Sequence, residues 1–267
     1  MKGLVASPLG FLIGFALGAL GGGGSILAVP VLVYAAGQTP AAATTTSLLI
    51  VAGASGFGLV GHWRAGRVKV RSGIVFGLVG IAGSFVGTAL NRRVDGDLLL
   101  LAFSGLILVA AWRMLTRCPT CTRVGEEEVV GGDADTKVVA PAGQRKKLIT
   151  VVAAGTGVGF LTGLFGVGGG FVIVPALTLA LGFAMPEAIG TSLLVIIINA
   201  AVALAARGGP GAVEWDIAIP FTVAAMIGVA AGVRAADRLP AESLLRAFAA
   251  LLVAVGFYTA ISSVLAL

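Results

Sequence analysis

The sequence predicts an all-α polytopic membrane protein of about eight spans, built from two homologous four-span repeats. Of its 267 residues, 58% are hydrophobic and 11% are charged, whereas a soluble domain carries roughly 25% charged residues. So few charges cannot cover a water-soluble fold, but a lipid-facing surface does not need them. The other two observations are the length of the apolar runs and a self-similarity between the two halves of the chain.

The apolar runs have the length and pattern of membrane helices. They are continuous and do not alternate at period two, which argues against the strands of a membrane barrel. With their small-residue flanks, several reach the roughly 20 residues that a spanning helix needs. The run after Met1 and Lys2 is too long for a signal peptide, so we interpret it as the first membrane segment. The runs cover residues 4–34, 48–60, 74–90, 98–111, 148–181, 193–205, 217–233 and 244–267.

The chain resembles itself at a constant offset of 145 residues. Glycines alone match often by chance, but proline, phenylalanine and a Thr-Ser-Leu triplet match at the same offset. This pattern predicts a first membrane repeat over 1–115 and a second over 148–267, joined by a polar cytoplasmic linker over 116–147. The matched pairs include Gly14/Gly159, Phe15/Phe160, Gly18/Gly163, Gly23/Gly168, Gly24/Gly169, Pro30/Pro175, Thr46/Thr191, Ser47/Ser192 and Leu48/Leu193.

The basic residues predict an orientation but leave two topologies open. If each half makes four full spans, 13 Lys and Arg residues lie on one side of the membrane and 5 on the other. If each glycine-rich break is the tip of a re-entrant hairpin, the halves are inverted and the counts become 14 and 4. The side richer in Lys and Arg is expected to be cytoplasmic. Both topologies place the linker and the loop 64–71 in the cytoplasm.

Two glycine-rich segments interrupt apolar runs at matching places, at residues 21–25 and 166–170. Irregular backbone at membrane depth is tolerated where it is buried in protein or lines a watery cavity. A helix that restarts at Ser25 or Phe171 would direct free N–H groups and a positive dipole end at such a cavity, which suits an anion. The alternative is close helix packing, which we favour only for the regular glycine ladders. These ladders are Gly10, Gly14 and Gly18, and Gly155, Gly159 and Gly163.

Several other polar residues lie in or beside the apolar runs. The hydroxyls of Thr44 to Ser47 and of Thr191 and Ser192 would either donate to an anion or bond within the helix bundle. Asn199 would line the pathway or bond to a neighbouring helix. Glu187 is expected to interact with a helix dipole, and the alternative interpretation is a role in proton coupling. His62, the only histidine, is expected to be an interfacial anchor.

The residues do not favour an enzyme, a resident metal or a cofactor. Ser55 lies in a Gly-x-Ser-Gly sequence typical of membrane-embedded serine proteases, but the one available base, His62, is on the same predicted helix. Cys118 and Cys121 provide only two of the four ligands of a zinc site. The net charge of +6 comes from short loops between spans, so nucleic acid is not an expected partner.

The glycine-rich motifs resemble those of the TauE/SafE sulfite exporter family. The motif Gly-Phe-x-x-Gly-x-x-Gly-Gly-Gly-Gly-Ser begins at Gly14, and a close variant begins at Gly159. The resemblance covers nearly the whole chain except the linker, and the second half adds a Gly-Thr-Ser triplet where the first has Thr45, Thr46 and Ser47. It implies a secondary transporter of sulfite, thiosulfate or sulfonates in a prokaryotic cell membrane, without identifying the anion.

The sequence therefore predicts a carrier for an anion, which the resemblance implies to be small and sulfur-containing. The alternative is a non-transporting membrane accessory or assembly protein. Its expected partners are the anion and the lipid bilayer of the inner membrane. A coupling ion, proton or sodium, and a homo-oligomeric state are left open. The expected substrate-binding residues are Gly22, Gly23, Gly24, Ser25, Thr46, Ser47, Gly168, Gly169, Gly170, Thr191, Ser192 and Asn199.

Overall fold

The fold was analysed from a computed structural model, which describes residues 2–34, 36–91, 96–117, 141–165, 170–206 and 213–266. Within these ranges the chain is helical and contains no strand. Most of the predicted linker, with Cys118 and Cys121, lies outside the described residues, but the last part of it belongs to helix α6. The helices are α1 (Lys2–Leu20), α2 (Ser25–Tyr34), α3 (Pro40–Arg64), α4 (Val70–Asn91), α5 (Gly96–Arg117), α6 (Pro141–Phe165), α7 (Gly170–Leu179), α8 (Met185–Ala206), α9 (Trp215–Arg238) and α10 (Ala241–Ala266).

Five of the described helices are long and apolar enough to cross a membrane. Their apolar segments are Ala42–Arg64, Val70–Gly87, Met185–Ala205, Trp215–Arg238 and Ala241–Ala260. Large apolar side chains are exposed on the outside of the bundle, for example Phe85 at 67%, as expected of a lipid-facing surface. These findings support an integral membrane protein, whereas the prediction of eight spans is confirmed only as far as these five.

The bounds of the helices recur at the offset found in the sequence. Gly37 and Gly182 both have a positive φ, 69° and 67°, in the turn before the next helix. A left-handed conformation favours glycine, so both turns require this residue. The corresponding bounds are the ends of α2 and α7, at Tyr34 and Leu179, and the first residues of four helix pairs: Ser25/Gly170, Pro40/Met185, Val70/Trp215 and Gly96/Ala241.

The glycine ladders pack helices from different halves of the chain against each other. The ladder of α1 lies on α9, and the ladder of α6 lies on α4. A Cβ atom on Gly14 would overlap the backbone of Ala225, and one on Gly159 would overlap the backbone of Gly80. The packing interpretation of these ladders is therefore confirmed. The two halves are interlocked, because the first helix of each half is in contact with a late helix of the other.

The facing residues also give the relative directions of the helices. Four helix pairs are parallel, because the residue numbers of both helices increase in the same direction along their contact. These pairs are α1 with α9, α3 with α9, α4 with α6, and α4 with α8. The residue numbers run oppositely between α3 and α8, where Gly58 faces Leu193 and Gly190 faces His62. Hence α1, α3 and α9 share one direction, and α4, α6 and α8 share the other. Corresponding helices of the two halves are inverted, and the chain returns to its starting side between α1 and α3.

Candidate functional site

The first glycine-rich break lies where α1 ends and α2 begins. Gly21 has a φ of 74°, and Gly22–Gly24 form a 3-10 turn that leads into α2. Gly24 lies beside Ile13 and Leu17, so the chain turns back along the last part of α1. Ser25 is the first residue of α2, and its hydroxyl donates to the Gly22 carbonyl at 2.7 Å. The predicted interruption of the first apolar run is confirmed.

The first residue of α7 lies directly against this break. A Cβ atom on Gly22 would overlap the carbonyl group of Gly170. One on Gly170 would lie 2.5 Å from the Ser25 hydroxyl oxygen. The next residue, Phe171, is buried and packs edge-on against Phe103 of α5, with ring centroids 5.1 Å apart. The first break is therefore in contact with the first residue of α7, at Gly22, Ser25 and Gly170.

This contact brings the positive ends of two helix dipoles together. Helices α2 and α7 begin at Ser25 and Gly170, and neither has an acidic residue in its first turn. A helix N-terminus is equivalent to roughly half a positive charge. Two such partial charges of the same sign, held in contact, repel each other. A negative charge held near both N-termini would convert this repulsion into attraction.

The other predicted glycines do not share one environment. Gly24 is packed against the backbone of α1. A Cβ atom on Gly23 would lie 2.8 Å from the end of the flexible Leu251 side chain, so Gly23 faces α10. Gly168 and Gly169 lie outside the described residues. Close packing explains Gly22 and Gly24 as well as the ladders. The positive dipole ends of α2 and α7 are then the feature that suits an anion.

Most of the predicted hydroxyl groups lie on buried residues, with Thr44 and Ser25 partly buried, and they differ in their hydrogen bonds. Ser47 donates to Thr44 O at 2.9 Å, and Ser192 donates to Ile189 O at 2.8 Å. Thr191 accepts the Lys69 backbone N–H at 3.1 Å. Ser192 also lies next to the break, with its hydroxyl oxygen 2.6 Å from a Cβ atom placed on Gly21.

Thr46 differs from these three residues. Its side chain is fully buried in the second turn of α3, and its hydroxyl has no hydrogen-bond partner among the described residues. Leaving a buried hydroxyl unpaired costs about 1–3 kcal/mol, so such a group is poised to bind a ligand. The Asn199 carbonyl oxygen on α8 is likewise buried and unpaired.

His62 is not the interfacial anchor that the sequence suggested. It is only 1% exposed, and its Nε2 lies 3.3 Å from the Gly18 carbonyl oxygen of α1. Its Nδ1 is buried and has no hydrogen-bond partner in the part of the chain that the structure describes. The expectation failed because His62 precedes the exposed Trp63 and Arg64 at the end of α3. Helical spacing provides the missing signal, since His62 is four residues after Gly58 and seven after Ser55, both buried.

The loop between α3 and α4 is tied to α8 and α9 by ion pairs. Lys69 pairs with Glu187 at 2.9 Å, and Arg67 pairs with Asp237 of α9. Glu187 lies in the first turn of α8, as its expected interaction with the helix dipole requires. The Arg67–Asp237 pair was not predictable from the sequence, because nothing local to either residue indicates the other.

The described residues offer neither a protease pair nor a metal site. The Ser55 hydroxyl has no partner, and His62 is directed at Gly18 of another helix. No group of three His, Cys, Asp or Glu side chains in the described part of the chain is arranged to hold a metal ion.

Comparison with known proteins gives a consistent result. The family model for the sulfite exporter TauE/SafE matches residues 6–259. A probable membrane transporter protein of Xylella fastidiosa (strain 9a5c) is 35% identical over 258 residues, covering 96% of this chain and 94% of the relative. The probable membrane transporter protein YdhB of Bacillus subtilis (strain 168) is 27% identical, covering 86% and 89%. No solved structure matches the chain.

Proposed function

Because the chain belongs to the TauE/SafE sulfite exporter family, we propose that it is a secondary transporter of a small sulfur-containing anion of the sulfite, thiosulfate or sulfonate class. The relatives are named only as probable membrane transporter proteins, so the anion class is our proposal. The two helix N-termini at the start of α2 and α7 support it, because the positive end of each helix dipole favours a compact negative charge.

We propose that the membrane part consists of two inverted four-span repeats, each with a re-entrant hairpin. The opposite directions of α1 and α6, and of α3 and α8, support this topology. It corresponds to the 14-to-4 distribution of basic residues, with loop 64–71 and linker 116–147 in the cytoplasm. Inverted repeats with broken helices are a common architecture of secondary transporters.

The substrate would bind where α2 and α7 begin. Backbone N–H groups of residues 22–24 and 168–171 would donate to the oxyanion without introducing a buried charge, whereas the Ser25 N–H is bonded to the Gly22 carbonyl. The Thr46 hydroxyl would donate in addition, and Ser47, Thr191, Ser192 and Asn199 would complete the polar lining. The observation that carries this proposal is the contact between Ser25 and Gly170, which brings two helix N-termini together without an acidic partner in either first turn.

The interlocked packing shapes the transport cycle. Because α1 is packed on α9 and α6 on α4, the two halves of the sequence cannot separate as rigid bodies. We propose that these two closely packed pairs move against the central helices α3 and α8, which exposes the anion alternately to the two sides. The glycine ladders would then keep each pair rigid during the movement.

Uptake by proteoliposomes tests the function. Purified protein is reconstituted and supplied with ³⁵S-labelled sulfite, thiosulfate or a small sulfonate, and empty liposomes provide the background. Saturable uptake of one anion, competed by the unlabelled anion, is the expected result. No flux of any of the three from folded protein would favour the alternative, a membrane accessory or assembly protein in which the glycines only pack helices.

A further inference from the structure

The proposed site leaves unused the one ionisable side chain that is buried in the described part of the bundle. Among the residues with a described side chain, the buried polar and charged ones comprise threonines, serines, Gln38 and His62. Only His62 among them titrates near neutral pH. The acidic and basic side chains described on the other helices are partly or fully exposed.

The hydrogen bond of His62 defines which ring nitrogen is free. A carbonyl oxygen only accepts, so the contact with Gly18 requires the proton of the neutral imidazole to be on Nε2. Nδ1 then carries a lone pair that is buried and unpaired. That nitrogen is a proton acceptor with no competing donor in the described structure.

His62 is also close to the proposed anion site. Gly18 is three residues before the break at Gly21, about 4.5 Å along the helix. On the other side, Gly190 of α8 faces the Cβ atom of His62, two residues before Ser192, which lies next to Gly21. A proton on Nδ1 would place a positive charge beside the break that the proposed substrate occupies.

The charged groups around His62 can respond to that proton. Arg67 of the loop and Asp237 of α9 both interact electrostatically with the imidazole, and they pair with each other. Neither of the other two neighbouring helices presents a charge to His62: the Gly18 carbonyl group of α1 and Gly190 of α8 face it. Lys69 and Glu187, also at this end of the bundle, pair with each other, and Arg64 and Arg238 are exposed.

We propose that His62 is the proton-binding site that couples this protein to the proton gradient, with the anion and the proton bound together. The proposal rests on the proposed transport function. Protonation at Nδ1 creates an imidazolium that attracts the bound anion and competes with Arg67 for Asp237. The anion stabilises the imidazolium by the same interaction, because coupling between two binding events is reciprocal. Loss of the Arg67–Asp237 pair then frees the α3–α4 loop from α9.

The test compares two transport assays in proteoliposomes, with His62→Gln as the variant. Glutamine retains a donor for Gly18 but cannot bind a proton at neutral pH. In the wild type, an imposed gradient, acidic outside, should raise anion accumulation at least tenfold. In His62→Gln that response should be lost, while exchange of labelled for unlabelled anion at equal pH continues. Glu187→Gln, which removes a different titratable group, should keep the response.

The outcomes separate the two proposals. Anion accumulation driven by the pH gradient in His62→Gln overturns the assignment of His62. Wild-type transport that does not respond to the pH gradient overturns it as well. Absence of anion exchange in the folded wild type overturns the transport function itself, and the coupling role with it.

A second measurement does not depend on folding of the variant. His62 is the only histidine, so wild-type protein carrying ¹⁵N-labelled histidine and no histidine tag gives one imidazole signal set. In lipid nanodiscs the neutral ring should be protonated on Nε2 and take up a second proton as the pH is lowered across the range in which the protein stays folded. Adding the transported anion at saturation should shift the midpoint. A neutral ring protonated on Nδ1, or no second proton, overturns the proposal.

Discussion

Gly22 and Gly170 lie so close that a Cβ atom on Gly22 would overlap the Gly170 carbonyl group, although they belong to opposite halves of the chain. The contact joins a 3-10 turn to the start of α7. The Ser25 side chain also lies against Gly170. Neither helix that begins there has an acidic first turn. The geometry therefore leaves two positive helix ends without a negative partner in their own first turns, and an oxyanion supplies one.

The glycine ladder of α6 provides a test of the packing. We expect Gly159→Ala to force α6 away from Gly80, which costs about 1–3 kcal/mol and lowers the Tm by about 3–10 °C. Gly157→Ala on the same helix is the control, because a Cβ atom there meets nothing within 4 Å. Thermal unfolding of the two purified variants is compared with the wild type. Equal Tm values for Gly159→Ala and Gly157→Ala would contradict the packing.

The unpaired hydroxyl of Thr46 should separate binding from stability. Thr46→Val removes a buried, unsatisfied polar group, so the Tm should stay the same or rise. A lost hydrogen bond to a charged ligand is worth about 1.5–3 kcal/mol, so the KM for uptake should rise about 10- to 100-fold. Concentration-dependent initial rates of uptake give the KM.

Two controls accompany Thr46→Val. Thr46→Ser keeps the hydroxyl and should retain the wild-type KM within about threefold. Ser55→Ala removes another buried, unpaired hydroxyl of α3 that has no proposed contact with the anion, and it should leave the KM unchanged. An unchanged KM in Thr46→Val would remove Thr46 from the site.

Glu187 should contribute little to stability and nothing to coupling. Its ion pair with Lys69 is partly exposed, with side-chain exposures of 30% and 42%. Such pairs contribute about 0–1 kcal/mol, and the helix dipole adds about 0.3–1 kcal/mol. Glu187→Gln should therefore lower the Tm by only a few degrees and keep the response of transport to a pH gradient. Loss of that response with normal exchange would identify Glu187 as the coupling residue.

Much of the architecture was predictable because the same sequence pattern occurs in both halves of the chain. The offset of 145 residues locates the break at residues 21–25, and the structure places a 3-10 turn there. The spacing of Gly14 and Gly18 predicts a closely packed helix face. The same spacing does not reveal the partner helix, because the pairing of α1 with α9 depends on residues more than 200 positions away.

The local environment of the site residues was less predictable. A run of four glycines looks uniform in sequence, but Gly23 faces Leu251 while Gly22 faces the backbone of Gly170. The sequence left the topology undecided because the parallel and inverted arrangements give similar distributions of Lys and Arg across the membrane. The directions of the helices favour the inverted arrangement. His62 was misplaced because its neighbours Trp63 and Arg64 outweighed the helical spacing that relates it to Gly58.

The central claim is that an anion binds where the N-termini of α2 and α7 meet. Equilibrium binding of ³⁵S-labelled sulfite and thiosulfate to purified protein tests it most directly, with Gly22→Ala as the variant. Gly105→Ala is the matched control, because a Cβ atom on Gly105 meets nothing within 4 Å. The account predicts saturable binding by the wild type and Gly105→Ala, and affinity at least tenfold weaker in folded Gly22→Ala. Equal affinity in all three proteins would contradict it.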